Sequence, residues 1–343
     1  MSFLYDFITR DKKRKPLPPK DRSNLPFAKL GFSFKEWHDS HINTHKWRNR
    51  RWAFLIFINL LFIISFAFDL SILEGSLSGS RLIGIYLMDP FNSSQELVIG
   101  SRTGYLAALT TNFWIGFFVI LTFYWLLGGR AFCSWVCPYH FFAEMGERAR
   151  AYFIKKKKIR DKTYDITVKY VFWAGFLLLA FLTKELVFEN LNPVGILSRS
   201  MIYGPGLALI WVVALLLYEV FGIKRFWCRY VCPIGVTYSF VGDVSPIGVK
   251  FELDKCGYCT DCQDVCLVPH ELWFVKKGAA TKEVHFTGGD CTKCGLCIDI
   301  CYGEALSFGF KAPSYILGGD IKEEKELHPL EIPVDETKEI EKK

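Results

Sequence analysis

Twelve cysteines dominate the chemistry available to this chain of 343 residues. Eight of them form two runs: CGYCTDCQDVC, with Cys256, Cys259, Cys262 and Cys266, and CTKCGLCIDIC, with Cys291, Cys294, Cys297 and Cys301. Both follow the C-x2-C-x2-C-x3-C spacing, in which three close thiolates wrap one face of a cubane and the fourth ligates a second one. The spacing predicts two [4Fe-4S] clusters, one on Cys256, Cys259, Cys262 and Cys301, the other on Cys291, Cys294, Cys297 and Cys266. A pair of zinc sites, each held by four thiolates, is the alternative, but zinc motifs separate paired cysteines by longer gaps. The proline that usually follows the last cysteine is absent after Cys266 and Cys301, although Pro269 comes soon after the former. Such thiolates need a reducing compartment.

The other four cysteines lie in CSWVCP, with Cys133 and Cys137, and CRYVCP, with Cys228 and Cys232. Cysteines at i and i+4 of a helix share a face, and the proline after each pair stops or turns the chain. The neighbours Arg130 and Trp135 in one element, and Trp227, Arg229 and Tyr230 in the other, suggest a part-buried, electropositive setting that lowers a thiol pKa. Three readings compete: a further metal centre held by all four thiolates, dithiol–disulfide cycling, and plain packing of small core residues.

The elements that must position these groups are apolar. Hydrophobic residues make up 51% of the chain and aromatic ones 16%, with mean hydropathy +0.19, which favours a membrane protein over a soluble domain. Four stretches approach the roughly 20 residues needed to cross a bilayer: Ala53 to Phe68, Tyr105 to Leu127, Val168 to Val187 and Pro205 to Gly222. Lys and Arg number 13 in Met1 to Trp52 and 9 in Gly128 to Thr167, against 2 in Leu70 to Gly104 and 1 in Phe188 to Gly204. That bias puts both termini, both CxxxCP elements and the cysteine runs on the cytoplasmic side. Helix, outer loop, helix and CxxxCP occur twice, with Asp89-Pro90 in one outer loop and Asn192-Pro193 in the other. Parallel repeats about an axis along the membrane normal would bring the two cysteine pairs together; two unrelated hairpins are the alternative.

The expected fold is an α-helical membrane protein of four pseudo-duplicated transmembrane helices with a C-terminal two-cluster ferredoxin-like α+β domain. Its divisions are a basic cytoplasmic segment (1–52), the membrane domain (53–250), the cluster domain (251–311) and a charged tail (312–343) read as disordered or as a docking arm. No cleavable secretory signal is read in the polar N-terminus. The formal charge of +7 sits beside apolar segments and reads as membrane-surface rather than nucleic-acid binding.

CSWVCP, LNPVGILSRS, WCRYVCPIG, CTDCQDVCLVPHEL and CTKCGLCIDIC, in that order, resemble the NapH-type membrane quinol dehydrogenases, and the resemblance covers most of Ile83 to Leu306. It implies a multi-pass protein of the bacterial inner membrane that oxidises menaquinol or ubiquinol from the quinone pool. Its electrons would go toward a periplasmic iron–sulfur or c-type cytochrome partner of a nitrate or nitrous oxide reductase. Clusters on the cytoplasmic side then require electrons to recross the membrane, through the CxxxCP elements, or serve a different reaction. For the quinol site, ionisable groups at membrane depth nominate Asp69, Glu185, Glu189 and Glu219, while Asp89 and Asn192 read equally as turn or cap residues. Two other classes compete: a membrane ferredoxin in maturation of a copper or haem enzyme, and a redox sensor.

Overall fold

The computed structural model describes residues 46–68, 73–82, 84–104, 111–154, 164–276, 279–280, 282–301 and 303–311. Most of the basic N-terminal segment, the charged tail and Asp69 lie outside the described residues.

Helix α1, Lys46–Ala67, is the one described helix long and apolar enough to cross a bilayer. Its 22 residues span about 33 Å. Three further apolar helices coincide with the other expected spans but are shorter: α3 (Thr111–Leu127), α6 (Val168–Thr183) and α9 (Ala208–Phe221), of 17, 16 and 14 residues. Among the described residues, one helix of the four expected spans reaches full spanning length. The short ones are stopped by local chemistry: Gly128 and Gly129 after α3 have φ of 104° and 69°, and Lys184 after α6 is left-handed at 60°. Their outward faces stay apolar, with Phe118, Phe123, Val171, Leu178, Ile210 and Leu217 exposed.

Between α1 and α3 the chain forms an antiparallel sheet that composition does not foretell: β1 (Leu73–Ser76), β2 (Gly79–Leu82) and β3 (Ile85–Met88), with Leu73 opposite Leu82 and Gly79 opposite Met88. Helix α2 (Pro90–Thr103) follows it. Between α6 and α9 lie α7 (Val187–Leu191) and α8 (Pro193–Tyr203). Helices α2 and α8 begin alike. Asp89 Oδ1 accepts from Phe91 N at 3.0 Å, Asn192 Oδ1 accepts from Val194 N at 3.1 Å, and proline occupies the first helical position in each. The repeated Asx-Pro dipeptides are thus helix caps. Phe91 and Phe188 meet edge-on at 5.2 Å in the core of the helical unit, which also holds Tyr139, Trp227, Tyr230 and Tyr238.

On the opposite side, α3 runs into α4 (Ala131–Trp135) and the long α5 (Pro138–Ile154), and α9 runs into a π-helical turn (Trp227–Val231) and α10 (Pro233–Asp243). The first strand of the cysteine-run unit, β4, begins at Ile247. Strand β4 (Ile247–Glu252) lies between β5 (Val284–Phe286) and β6 (Leu306–Phe310), antiparallel to both, with Phe251 opposite His285 and Leu306. Short helices α11 (Asp261–Val265) and α12 (Leu296–Ile300) carry cysteines against a core of Val249, Phe251, Leu272, Phe274 and Leu306. The result is a small α+β unit seated on a helical one.

Candidate metal centre

The two cysteine runs are folded alike. Two residues after the first cysteine of each run, Tyr258 and Lys293 are left-handed, and two residues further on so are Thr260 and Gly295. Left-handed non-glycine residues each cost on the order of 1 kcal/mol, so the turns are over-determined by their surroundings, and they direct the loop thiols to one side. Backbone amides donate to sulfur from Tyr258 to Cys256, Val268 to Cys266 and Ala305 to Cys301, at 3.4, 3.4 and 3.3 Å. Such bonds favour thiolate ligands.

The fourth cysteines cross over. One cavity is lined by Cys266 together with Cys291, Cys294 and Cys297. The thiols acting electrostatically on Cys262 are those of Cys259, Cys301 and Cys256. Burial pushes the Cys262 thiol up to about 12 and raises those of Cys266, Cys294 and Cys297. A bound metal would reverse this, since thiolate ligation releases the protons. Grouped soft donors with amide bonds to sulfur fit iron–sulfur clusters.

A second cavity is lined by all four remaining cysteines, Cys133, Cys137, Cys228 and Cys232. Their pairs are not spaced as successive turns of one α-helix. Cys137 N donates to Phe132 O at 3.1 Å and Cys232 N to Trp227 O at 2.8 Å, both i→i−5, so each second cysteine closes a widened turn. Pro138 and Pro233 then begin a new helix. Single widened turns of this kind recur at functional sites. The expected lowering of these thiol pKa values is also overturned. Burial pushes all four up, Cys232 to about 12, and outweighs the opposing pull of Arg130 on Cys133 and of Arg225 on Cys228.

The arginines repeat with the cysteines. Arg130 and Arg225 each stand three residues ahead of the first cysteine, both are buried, and both line this cavity. Each reaches across to the position three residues beyond the second cysteine of the other half. Arg225 Nη1 lies 3.2 Å from His140 Nδ1, and Arg130 Nη2 lies 3.0 Å from where a side chain on Gly235 would begin. This reciprocal contact is what a pseudo-two-fold arrangement of parallel repeats requires. His140 also meets Arg51 at 2.9 Å, and burial with these two guanidinium groups pushes it well below the ordinary histidine range, so it is neutral.

The soluble unit docks directly on the first element. Ser134 Oγ donates to Thr292 O at 2.6 Å, Trp135 Nε1 to Lys293 O at 3.0 Å, and Arg130 Nη1 to Asp290 O and Oδ1 at 3.1 and 3.0 Å. Asp290 also binds Lys169, accepts from Ser239 Oγ at 2.7 Å and pairs with His270 Nε2 at 3.0 Å. His270, Glu271 and Asp290 converge as cation ligands would, but Lys169 and Arg130 already supply the positive charge. Glycine permits the approach: a side chain on Gly129 would meet backbone of Tyr238 and Gly242 at 2.4 Å, and one on Gly289 would meet Ser239 O at 2.1 Å. Val268 and Thr292 line both cavities, so one layer of side chains separates the four motif cysteines from Cys266 and Cys291.

The nominated acids are dispersed. Glu189 accepts from Ser78 Oγ at 2.7 Å and Asn92 Nδ2 at 2.8 Å, tying the outer sheet to α2, and Glu185 is exposed. Glu219 accepts from Trp227 N at 2.9 Å and so braces the second widened turn. Arg229 lines the motif cavity, and Tyr230 accepts from Tyr164 N at 3.2 Å. Sequence reasoning missed Arg225, His140 and Asp290. Aligning the halves on CxxxCP would have exposed the repeated arginine; nothing local marks Asp290 as its partner.

A family model described as a 4Fe-4S binding domain matches residues 110–160 and 204–252, the two segments that hold the CxxxCP pairs. The chain is 32% identical over 265 residues to the ferredoxin-type protein NapH of Escherichia coli, covering 74% of this chain and 88% of that one. It is 31% identical over 264 residues to the methylamine utilization ferredoxin-type protein MauN of Methylorubrum extorquens (76% and 88%). It is 31% identical over 245 residues to NapH of Haemophilus influenzae (70% and 82%). No solved structure matches the chain.

Proposed function

Since the chain belongs to the family of ferredoxin-type NapH proteins, we propose that it is a multi-pass electron-transfer protein of the bacterial inner membrane that oxidises menaquinol or ubiquinol. The electrons leave toward a periplasmic iron–sulfur or c-type cytochrome partner, that of a nitrate or nitrous oxide reductase. The observation that carries this reading is the shared wall of Val268 and Thr292, which sets a cavity of four cysteines against a cavity of four more.

In this reading Cys256, Cys259, Cys262 and Cys301 hold one [4Fe-4S] cluster, Cys291, Cys294, Cys297 and Cys266 the other, and Cys133, Cys137, Cys228 and Cys232 a further centre. Bound there, such groups supply one-electron storage and relay between a two-electron quinol and one-electron partners. The match of a 4Fe-4S binding model to both CxxxCP segments supports the third site. The protein's own part is positional. Ser134, Trp135 and Arg130 grip the carbonyls of residues 290, 292 and 293 and hold the two cavities one side chain apart.

Helices α1, α3, α6 and α9 are the four spans, with both termini cytoplasmic. Their apolar outward faces support this, and the three short ones are completed by flanking residues or by local thinning of the bilayer. Similar likeness to NapH and MauN favours a shared membrane machinery with an interchangeable terminal partner.

The test is anaerobic mixing of the purified protein with a reduced menaquinone analogue, read by EPR and iron analysis. Reduced cluster signals with more than about eight irons per chain are expected. About eight irons and no reduction would instead place the protein among maturation factors or sensors.

A further inference from the structure

The four-cysteine cavity has an electrostatic requirement that its thiols alone do not meet. Four thiolates around a small metal core leave net negative charge, and this cavity is lined largely by apolar atoms, including Phe132, Val194, Trp227 and Ile234. Uncompensated charge in such a place is expensive. Three arginines line it, and the two buried ones, Arg130 and Arg225, act on the thiols. Arg130 lies against the Cys133 thiol and acts electrostatically on Cys232 as well, and Arg225 acts on Cys228. Arg225 is 2% exposed and Arg130 7%, so neither charge is screened by water.

Resting on the reading that the four motif cysteines hold a metal centre, we propose that Arg130 and Arg225 are its paired counter-charges and set its reduction potential, and that Arg130 also links that potential to the neighbouring cluster site. The geometry makes the two arginines unequal. Arg225 is neutralised within the helical unit by Glu147, with Nε and Oε1 2.8 Å apart. Arg130 is neutralised across the interface by Asp290, the residue preceding Cys291, and donates to Cys228 O at 3.4 Å on the other side. Its guanidinium therefore lines the four-cysteine cavity and reaches the cluster side through its ion pair with the residue next to Cys291. One-electron reduction of a centre adds one negative charge, which a nearby fixed cation favours, so each arginine raises the potential of the site that it faces. Through Asp290 the same guanidinium also sets the charge beside Cys291, so removing the pair alters both sites at once. The arginine in R-x-x-C-x-x-x-C-P is then as much a part of the motif as its cysteines.

The experiment is an EPR-monitored redox titration of the full-length protein, purified anaerobically, with iron counted in parallel. Charge-neutral pairs avoid stranding a buried carboxylate: Arg225→Gln with Glu147→Gln, and Arg130→Gln with Asp290→Asn. The first pair is expected to keep its iron. It lowers the reduced-to-oxidised ratio of the third centre at least tenfold at fixed poise, about 59 mV for one electron, and leaves the two ferredoxin-type signals unmoved. The second pair shifts the third centre and one of the ferredoxin-type signals together. Midpoints unmoved in both pairs, with iron retained, would overturn the proposal and leave the arginines as braces. If a pair loses iron, Arg225→Lys and Arg130→Lys decide: retention of iron and midpoint supports a charge role, and loss in the lysine variants too refutes it. A wild-type chain with about eight irons and no third signal fails the underlying reading itself, an outcome visible before any variant is made.

Discussion

Replacing Asp290 with Ala would separate the soluble unit from its seat. The residue is 8% exposed, and its carboxylate meets Arg130 at 3.0 Å, Ser239 at 2.7 Å and His270 at 3.0 Å, and also Lys169. Burial pushes this carboxyl up, but His270, Arg130 and Lys169 outweigh it and hold the group well below the usual carboxylate range. Truncation leaves two buried cations uncompensated, a loss of about 3–5 kcal/mol where a buried pair is broken from one side. At about 1.4 kcal/mol per decade, that opens the interface roughly a hundred- to a thousandfold more often, or somewhat beyond.

Hydrogen exchange of the amides in 289–293, in a membrane-mimetic, reads that opening directly. Protection should fall by at least about a hundredfold, and a fall below about tenfold would refute the assignment of Asp290 as the hub. A double-mutant cycle with Arg130→Gln adds a second condition. The two losses must be strongly non-additive, and additivity within about 0.5 kcal/mol would show that the pair does not act as one. The pH dependence has a definite sign. A depressed carboxyl contributes fully above its unfolded value of 3.8 and loses its effect only as pH falls through the lower folded value, so protection corrected for intrinsic exchange stays level from about pH 8 to pH 5.

Cys262→Ser should remove one four-iron signal and leave the cavity of Cys266, Cys291, Cys294 and Cys297 loaded; iron counting with EPR checks this, and two unchanged signals would refute the assignment of Cys262 as a ligand. Gly129→Ala forces a left-handed alanine into backbone 2.4 Å away, and should lower the thermal midpoint by several degrees and loosen the same 289–293 amides; an unchanged midpoint would mean that the three segments do not pack as closely as described.

Much of this was legible in the chain because metal chemistry constrains spacing more tightly than folding does. The run from Cys256 to Cys266 can be read without neighbours, since its four cysteines lie within eleven residues. The i, i+4 reading of Cys133 and Cys137 failed for a local reason: a proline following the second cysteine starts a helix of its own, and the turn before it widens. The expectation of acidified thiols failed for a global one. Arg130 and Arg225 are close enough to act, but burial, which sequence does not report, acts in the opposite sense and is larger. The sheet of residues 73–88 was illegible because its short strands of mixed polarity carry no clean alternation, and it is held by α3, where a side chain on Gly116 would collide with Tyr86 O. The ordinary N-cap role of Asp89 and Asn192 was within reach, as an Asx-Pro start is a local signal.

The first described helix does not begin on its own terms. The amides of Trp47 and Arg48, at the start of α1, donate to Asp299 Oδ1 and Oδ2, each at 3.0 Å, from a residue more than 250 positions later. Trp47 packs edge-on against Phe308 at 4.6 Å. A ribosome delivers these partners in the wrong order: α1 is made long before α12 exists, and the amides of its leading turn lack these acceptors in the meantime. Folding of the first turn of α1 therefore waits on the last cysteine run, whose helix fastens the first described helix. A chain that failed to load that run would carry a loose leading turn on α1, so that proteolysis there would read cofactor loading from a site more than 250 positions away.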